Sequence, residues 1–191
     1  RLYFTLSAFW LCFTTTLGLL LAINLTHGFL TKSHLDILKL HVHAGLVGWF
    51  LQLMLGAGAK MLPMFMLGRS TKIKLLYASV ILINLGLVLF LLDGYAHPVG
   101  FRSLIFAAVV LSGVLCWSVY VLDCCKHRAR KVLDIPMKHS IISFLNLMLA
   151  FLSLPMVVQQ ESGNWVNLYA VWIFLGWITG IILGMTFKTL P

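Results

Sequence analysis

Leu40-His41-Val42-His43-Ala44-Gly45-Leu46-Val47-Gly48-Trp49 sits inside an apolar run extending over residues 35–58. A run of ~20 such residues is long enough to cross the hydrocarbon of a bilayer as a helix, so two histidines stand within a membrane span. Residues two apart on a helix point about 200° away from each other. His41 and His43 therefore cannot grip one metal ion from a single face, and each ring serves a separate partner on its own side. Ionisable groups at membrane depth are costly and point to function by default. Read from the residues alone, the rings are either ligands or interfacial histidines bonded to water, lipid or backbone carbonyls.

Outward from this stretch lie five more runs of spanning length, at residues 3–25, 73–92, 101–122, 138–159 and 165–187. The composition agrees, with 61% hydrophobic and 10% charged residues and a mean hydropathy of +0.99, where soluble domains carry about 25% charged residues. The fold class expected is an all-α integral membrane protein with six transmembrane helices. No run follows a charged segment and precedes a small-residue cleavage site, so the first is read as a span and not a removable signal.

The net charge of +9 encodes sidedness. Threading six spans puts Arg1, Lys60, Arg69, Lys72, Lys74, Lys126, Arg128, Arg130, Lys131, Lys138 and Lys188 on one side. Only Lys32, Lys39 and Arg102 fall on the other. Cytoplasmic loops carry the excess of Lys and Arg, which predicts cytoplasmic N- and C-termini. The expected partner is the lipid bilayer, whose anionic head groups face the basic loops. No basic patch interleaved with aromatics suggests a nucleic acid. Cys12 and Cys116 fall in spans as small apolar residues, and Cys124 and Cys125 fall on the inner, reducing side, so no structural disulfide is expected.

An internal repeat organises the chain. Leu40, Gly48, Trp49, Leu55, Gly56, Lys60, Leu62 and Pro63 match Leu168, Gly176, Trp177, Leu183, Gly184, Lys188, Leu190 and Pro191, each pair 128 positions apart. Residues 1–191 are read as a single membrane domain, with a first four-helix repeat at 1–131 and the start of a second, truncated one at 132–191. Opposite His41 and His43 stand Tyr169 and Val171, so whatever the histidines do belongs to one unit. The truncation and the initial Arg1 suggest a fragment or a short family member.

Ser33-His34-Leu35-Asp36 fits a helix-capping box at the start of the second span. His34 would share a face with His41, and further along come Gly45, Gly48, Gln52 and Gly56. That stripe of missing side chains admits either a flat porphyrin or a close helix neighbour, the usual use of small residues in membranes. Behind His43 run Val47, Phe50 and Met54, an apolar wall for a haem or for lipid. Among polar groups in the spans, Asn24, Asn84 and Asn146 stand out as inter-helix bonding residues, while Asp36, Asp93, Asp123, Asp134 and Glu161 all fall at span ends.

The order His41-Val42-His43-Ala44-Gly45-x-x-Gly48-Trp49, continued by Leu62-Pro63 and Gly68-Arg69, resembles the tenth transmembrane helix of the haem–copper oxidase catalytic subunit, most closely its cbb-type branch. The resemblance covers residues 40–69. It implies one or two b haems, with His41 in the position of the high-spin, gas-reactive haem ligand and His43 in that of the low-spin, electron-entry one. It also implies electron transfer, or binding and reduction of oxygen or nitric oxide, in a bacterial inner membrane, with an electron donor or other respiratory-chain subunits as partners. Fold period agrees, since that family is built from four-helix arcs.

The family's three copper-binding histidines, adjacent His-His pair and cross-linked tyrosine have no counterpart, so no copper is expected in this segment. Whether the chain is an oxidoreductase like cytochrome c oxidase or nitric oxide reductase stays open for that reason. Further iron ligands could come from His97, His34 and His27 near the outer side, or from His139 at the inner end of the fifth span. Two other readings compete: a repeat-built transporter with outer histidines as a proton relay, and a structural or assembly subunit without cofactor.

Overall fold

The structure, a computed structural model, describes residues 1–30, 32–129, 132–159 and 163–190. Among them, six helices are long and apolar enough to cross a membrane. They are α1 (Leu2–His27), α2 (His34–Met66), α3 (Ile73–Ala96), α4 (Phe101–Lys126), α5 (Ile135–Gln159) and α6 (Gly163–Thr189). No strand occurs among the described residues. The chain is an all-α protein of six candidate spans. Arg130, Lys131, Glu161 and Pro191 lie outside the described residues, and with them the expected pairing of Pro63 with Pro191.

The second span runs further than its apolar run suggests, 33 residues through Pro63 to Met66. It stops because Leu67 turns into the left-handed region (φ 51°, ψ 39°), where its N–H bonds to the Met64 carbonyl and that of Gly68 to the Pro63 carbonyl at 2.9 Å. That conformation costs a side-chain-bearing residue roughly 1–2 kcal/mol. The next residue is a glycine for a different reason: Cys124 presents its carbonyl oxygen where a side chain at position 68 would stand. At the other end, Ser33 occupies the capping position, but its side chain makes no capping hydrogen bond. The expected box is not formed, and Asp36 instead pairs with Lys39 at 3.2 Å.

Within α2, residues Ala44–Leu51 widen into π-helix, and within α6, residues Trp172–Thr179 do the same. Both boundaries are 128 residues apart, the offset of the Gly-Trp and Leu-Gly pairs. A π-turn bonds each N–H five residues back, so one added residue rotates the downstream part of the helix by about 100° relative to a straight α-helix. The side-chain requirement of the widened turn is met differently in the two helices. Gln52 Nε2 donates to the Gly48 carbonyl at 2.9 Å from its own helix, whereas Asn146 Nδ2 of α5 donates to the Gly176 carbonyl at 3.2 Å.

The chain divides into two compact units, residues 1–129 and 130–191. The first holds α1 to α4. Its α2 is joined to α4 by Trp117, whose Nε1 donates to the Leu55 carbonyl at 2.9 Å over the bare backbone of Gly58. The second unit holds α5 and α6, where Ser143 and Ser140 rest against Gly180 and Gly184 and a Lys188–Asp134 ion pair ties the helix ends.

Cys124 is fully buried and Cys125 Sγ sits 3.3 Å from Met66 Sδ, so neither reports sidedness well. Ala129 and Ser33 are exposed. With the native cysteines replaced, Ala129→Cys should resist an impermeant thiol reagent in intact cells and Ser33→Cys should react. The reverse pattern would overturn the orientation inferred from the charge asymmetry.

Candidate functional site

The helix that carries the histidines is positioned by a polar clamp that joins α1, α2 and α3. Trp10 Nε1 of α1 donates to Asn84 Oδ1 of α3 at 2.7 Å. Asn84 Nδ2 returns a bond to Gln52 Oε1 of α2 at 2.9 Å, and Gln52 Nε2 reaches Asn84 Oδ1 at 3.2 Å. Asn84 also back-bonds to the Val80 carbonyl at 2.8 Å. Water does not compete in hydrocarbon, so such groups must find one another. One indole and two amides thereby pin three helices to a common depth and rotation.

The glycine stripe of α2 closes that clamp. A Cβ on Gly48 would lie 2.6 Å from Trp10 Cγ, one on Gly56 2.6 Å from Tyr3 Cβ, and one on Gly45 3.2 Å from Thr14 Cγ2. The flat group accommodated at Gly48 is therefore the Trp10 indole, and the stripe is a packing seam with α1, not a porphyrin bed. Val47, expected behind His43, packs with Trp10, Leu40, Ala44, Leu87 and Phe90 in the cluster above the clamp.

Just before the π segment, the two histidines diverge onto neighbouring helices. His41, half-buried, turns to α1 and lies across Gly18, where a Cβ would come 2.9 Å from its Cε1. His43 turns to α3, its ring 4.9 Å from that of Phe90 at a tilt of 46°. Its Nδ1 is 2.8 Å from the Lys39 carbonyl oxygen. His41 Nδ1 is buried and makes no hydrogen bond, as do His34 Nδ1 and Thr14 Oγ1. Buried polar atoms left without a partner in a native fold call for an explanation, such as a water or a ligand.

The other histidines have more ordinary surroundings. His97 ends α3 in extended backbone before Pro98, with Nδ1 3.3 Å from Asp93, which also holds Arg102 at 2.7 Å. His27 is exposed at the end of α1, its Nδ1 2.7 Å from Thr26 Oγ1. His139 is exposed in the first turns of α5. No group of three or more His, Cys, Asp or Glu side chains able to hold a metal gathers among the described residues. Of the span asparagines, Asn84 and Asn146 bond between helices, while Asn24 caps the turn after α1 by accepting from the Leu30 N–H at 2.8 Å.

The clamp and the π segments are not evident from the residues alone. Their only signals are the lone amides Gln52 and Asn84 in apolar runs and the glycine pairs at matching offsets. No protein-family model, curated protein or solved structure matches the chain.

Gly48→Ala should destabilise the first unit by about 1–3 kcal/mol, the usual range for an extra methyl in a filled core. Trp10→Ala on that background should cost much less than Trp10→Ala alone, because it makes room for the methyl. Thermal unfolding of the four proteins in detergent reads this coupling, and strict additivity would refute the close approach of Trp10 to Gly48.

Proposed function

We propose that residues 1–129 form a haem-carrying membrane unit for electron transfer or diatomic-gas chemistry, with His43 Nε2 as an axial ligand and His41 serving a second position on the opposite face. The observation that carries this reading is the 2.8 Å approach of His43 Nδ1 to the Lys39 carbonyl. A carbonyl oxygen only accepts, so Nδ1 keeps the proton and a neutral ring presents its lone pair at Nε2. A backbone carbonyl in this role is how metal-ligating histidines are commonly oriented. The Phe90 ring beside it limits rotation.

His41 fits the second position for a different reason: its buried Nδ1 satisfies nothing in the chain, and its ring rests on a glycine. A bound b haem would supply one-electron redox change and an iron for gas binding. The chain's own part is to hold the two imidazoles apart, set the His43 tautomer and exclude water with Leu40, Leu87 and Phe90. The four-helix first unit and the 128-residue spacing of the π segments support the resemblance to the haem–copper oxidase subunit. No copper position is part of this proposal.

A scaffold role without cofactor is favoured by one observation, the complete filling of the glycine stripe by Tyr3, Trp10 and Thr14. Spectroscopy separates the two. Purified protein, expressed with ample haem, should show a low-spin b-type band in its reduced-minus-oxidised spectrum. His43→Ala should abolish that band, and His41→Ala should spare it while altering a high-spin or gas-binding signal. Wild-type protein without Soret absorbance would leave the scaffold reading standing. Haem that survives both substitutions would place it elsewhere in the chain.

A further inference from the structure

Three consecutive threonines on α1 use their hydroxyls differently. Thr15 Oγ1 donates to the Leu11 and Cys12 carbonyls at 3.0 Å, and Thr16 Oγ1 to the Cys12 carbonyl at 2.8 Å. Such bonding back to the preceding turn is open to any helical threonine. Thr14, only 8% exposed, does not use it, and its buried Oγ1 has no hydrogen-bond partner among the described residues. Thr15 and Thr16 are exposed, whereas Thr14 turns to α2, its Cγ2 3.2 Å from where a Cβ on Gly45 would stand.

The same seam holds the unsatisfied Nδ1 of His41. His41 lies across Gly18, four residues beyond Thr14, and Thr14 lies against Gly45, four residues beyond His41. Residues four apart are neighbours on a helix face, about 5–6 Å between Cβ atoms. The two side chains therefore stand one turn apart across the contact of α1 with α2, each over a glycine of the other helix. One water oxygen bonded at ~2.8 Å on either side bridges polar atoms up to about 5.5 Å apart.

His43 has the Lys39 carbonyl to hold its proton on Nδ1, whereas His41 has no such acceptor among the described residues. A neutral imidazole that presents Nε2 to a metal carries its proton on Nδ1, and a hydrogen-bond acceptor there fixes the ring. We propose that Thr14 is the positioning residue for His41, acting through one bound water that accepts from Nδ1–H and donates to Thr14 Oγ1. The importance of this link for an iron at His41 rests on the haem reading above. The link itself does not, because it is carried by two buried polar atoms on one seam.

Ring-nitrogen NMR of the full chain, isotopically labelled at histidine and reconstituted in bilayers without haem, tests the link under conditions that keep imidazoles neutral. The His41 signals, identified by their loss in His41→Ala, should show the proton on Nδ1 and a cross-peak to water. Thr14→Val, which keeps the side-chain shape and removes the hydroxyl, should lose the cross-peak and mix the tautomers. Thr14→Ser should retain both features, and Thr15→Val and Thr16→Val should leave them unchanged. In haem-loaded protein, Thr14→Val should weaken carbon monoxide binding by roughly tenfold with the low-spin band intact, and Thr14→Ser should restore it. A wild type without haem absorbance would end the haem reading alone, since the histidine spectra still decide the link. The proposal is overturned if Thr14→Val gives the wild-type His41 spectrum, if either neighbouring threonine variant produces the same loss, or if haem-loaded Thr14→Val binds carbon monoxide as the wild type does.

Discussion

The hydrogen bond from the Trp10 indole to the Asn84 amide is the contact on which the first unit depends. It spans 2.7 Å between two largely apolar helices, which share a further polar contact, from the Tyr3 hydroxyl to the Leu76 carbonyl. Lipid tails are as apolar as leucine, so burial of leucines alone gives helices little reason to prefer one rotation over another. An unpaired amide or indole N–H in hydrocarbon costs several kcal/mol by comparison. With Gln52 completing the set, α1, α2 and α3 have one arrangement that satisfies all three side chains. The bare backbone at Gly48 lets the indole come close enough to take part.

The placement of both histidines is a consequence of that rotation. Once Gln52 faces Asn84, the preceding turns of α2 carry His41 onto α1 and His43 onto α3. The π segment lies between the histidines and the clamp, so its extra residue sets the angle between them. A straight α-helix of the same sequence would turn the clamp away by about 100° if His43 stayed beside Phe90. The widened turn therefore reconciles two side-chain requirements on one helix. Its counterpart in α6 has Tyr169 and Val171 in place of the histidines, yet keeps the same boundaries. The distortion does not require the imidazoles, since α6 has it without them.

The other end of the same unit obeys different physics. Around Asp123 the polar groups are ion-paired and reachable by water, with Ser70, Lys72 and His127 gathered about one carboxylate. Backbone strain accumulates there as well. Leu67 takes the left-handed conformation, and next to it Gly68 lies against the Cys124 carbonyl with no room for a side chain. Hydrocarbon forces the clamp to be complete, whereas this interfacial end tolerates a strained turn and an open cleft.

The amino-acid sequence by itself determined the class, the six spans and the divergence of His41 from His43. Partition into a bilayer is a nearly additive property of a contiguous window, and the angle between neighbours on a helix is local geometry. The 128-residue offset was also legible, because Gly-Trp and Lys-x-Leu-Pro recur in order. Tertiary structure alone decided what each face meets. The stripe of Gly45, Gly48 and Gly56 is compatible with a porphyrin or a helix until Thr14, Trp10 and Tyr3 arrive from more than thirty residues away. The Ser33 box was likewise legible as a pattern, but the Ser33 side chain makes no capping bond and Asp36 pairs with Lys39. The π segments have no local signature of their own. They coincide with glycine carbonyls bonded by amide side chains: Gly48 by Gln52 of the same helix, and Gly176 by Asn146 of the neighbouring one, a contact that exists only once the helices are packed.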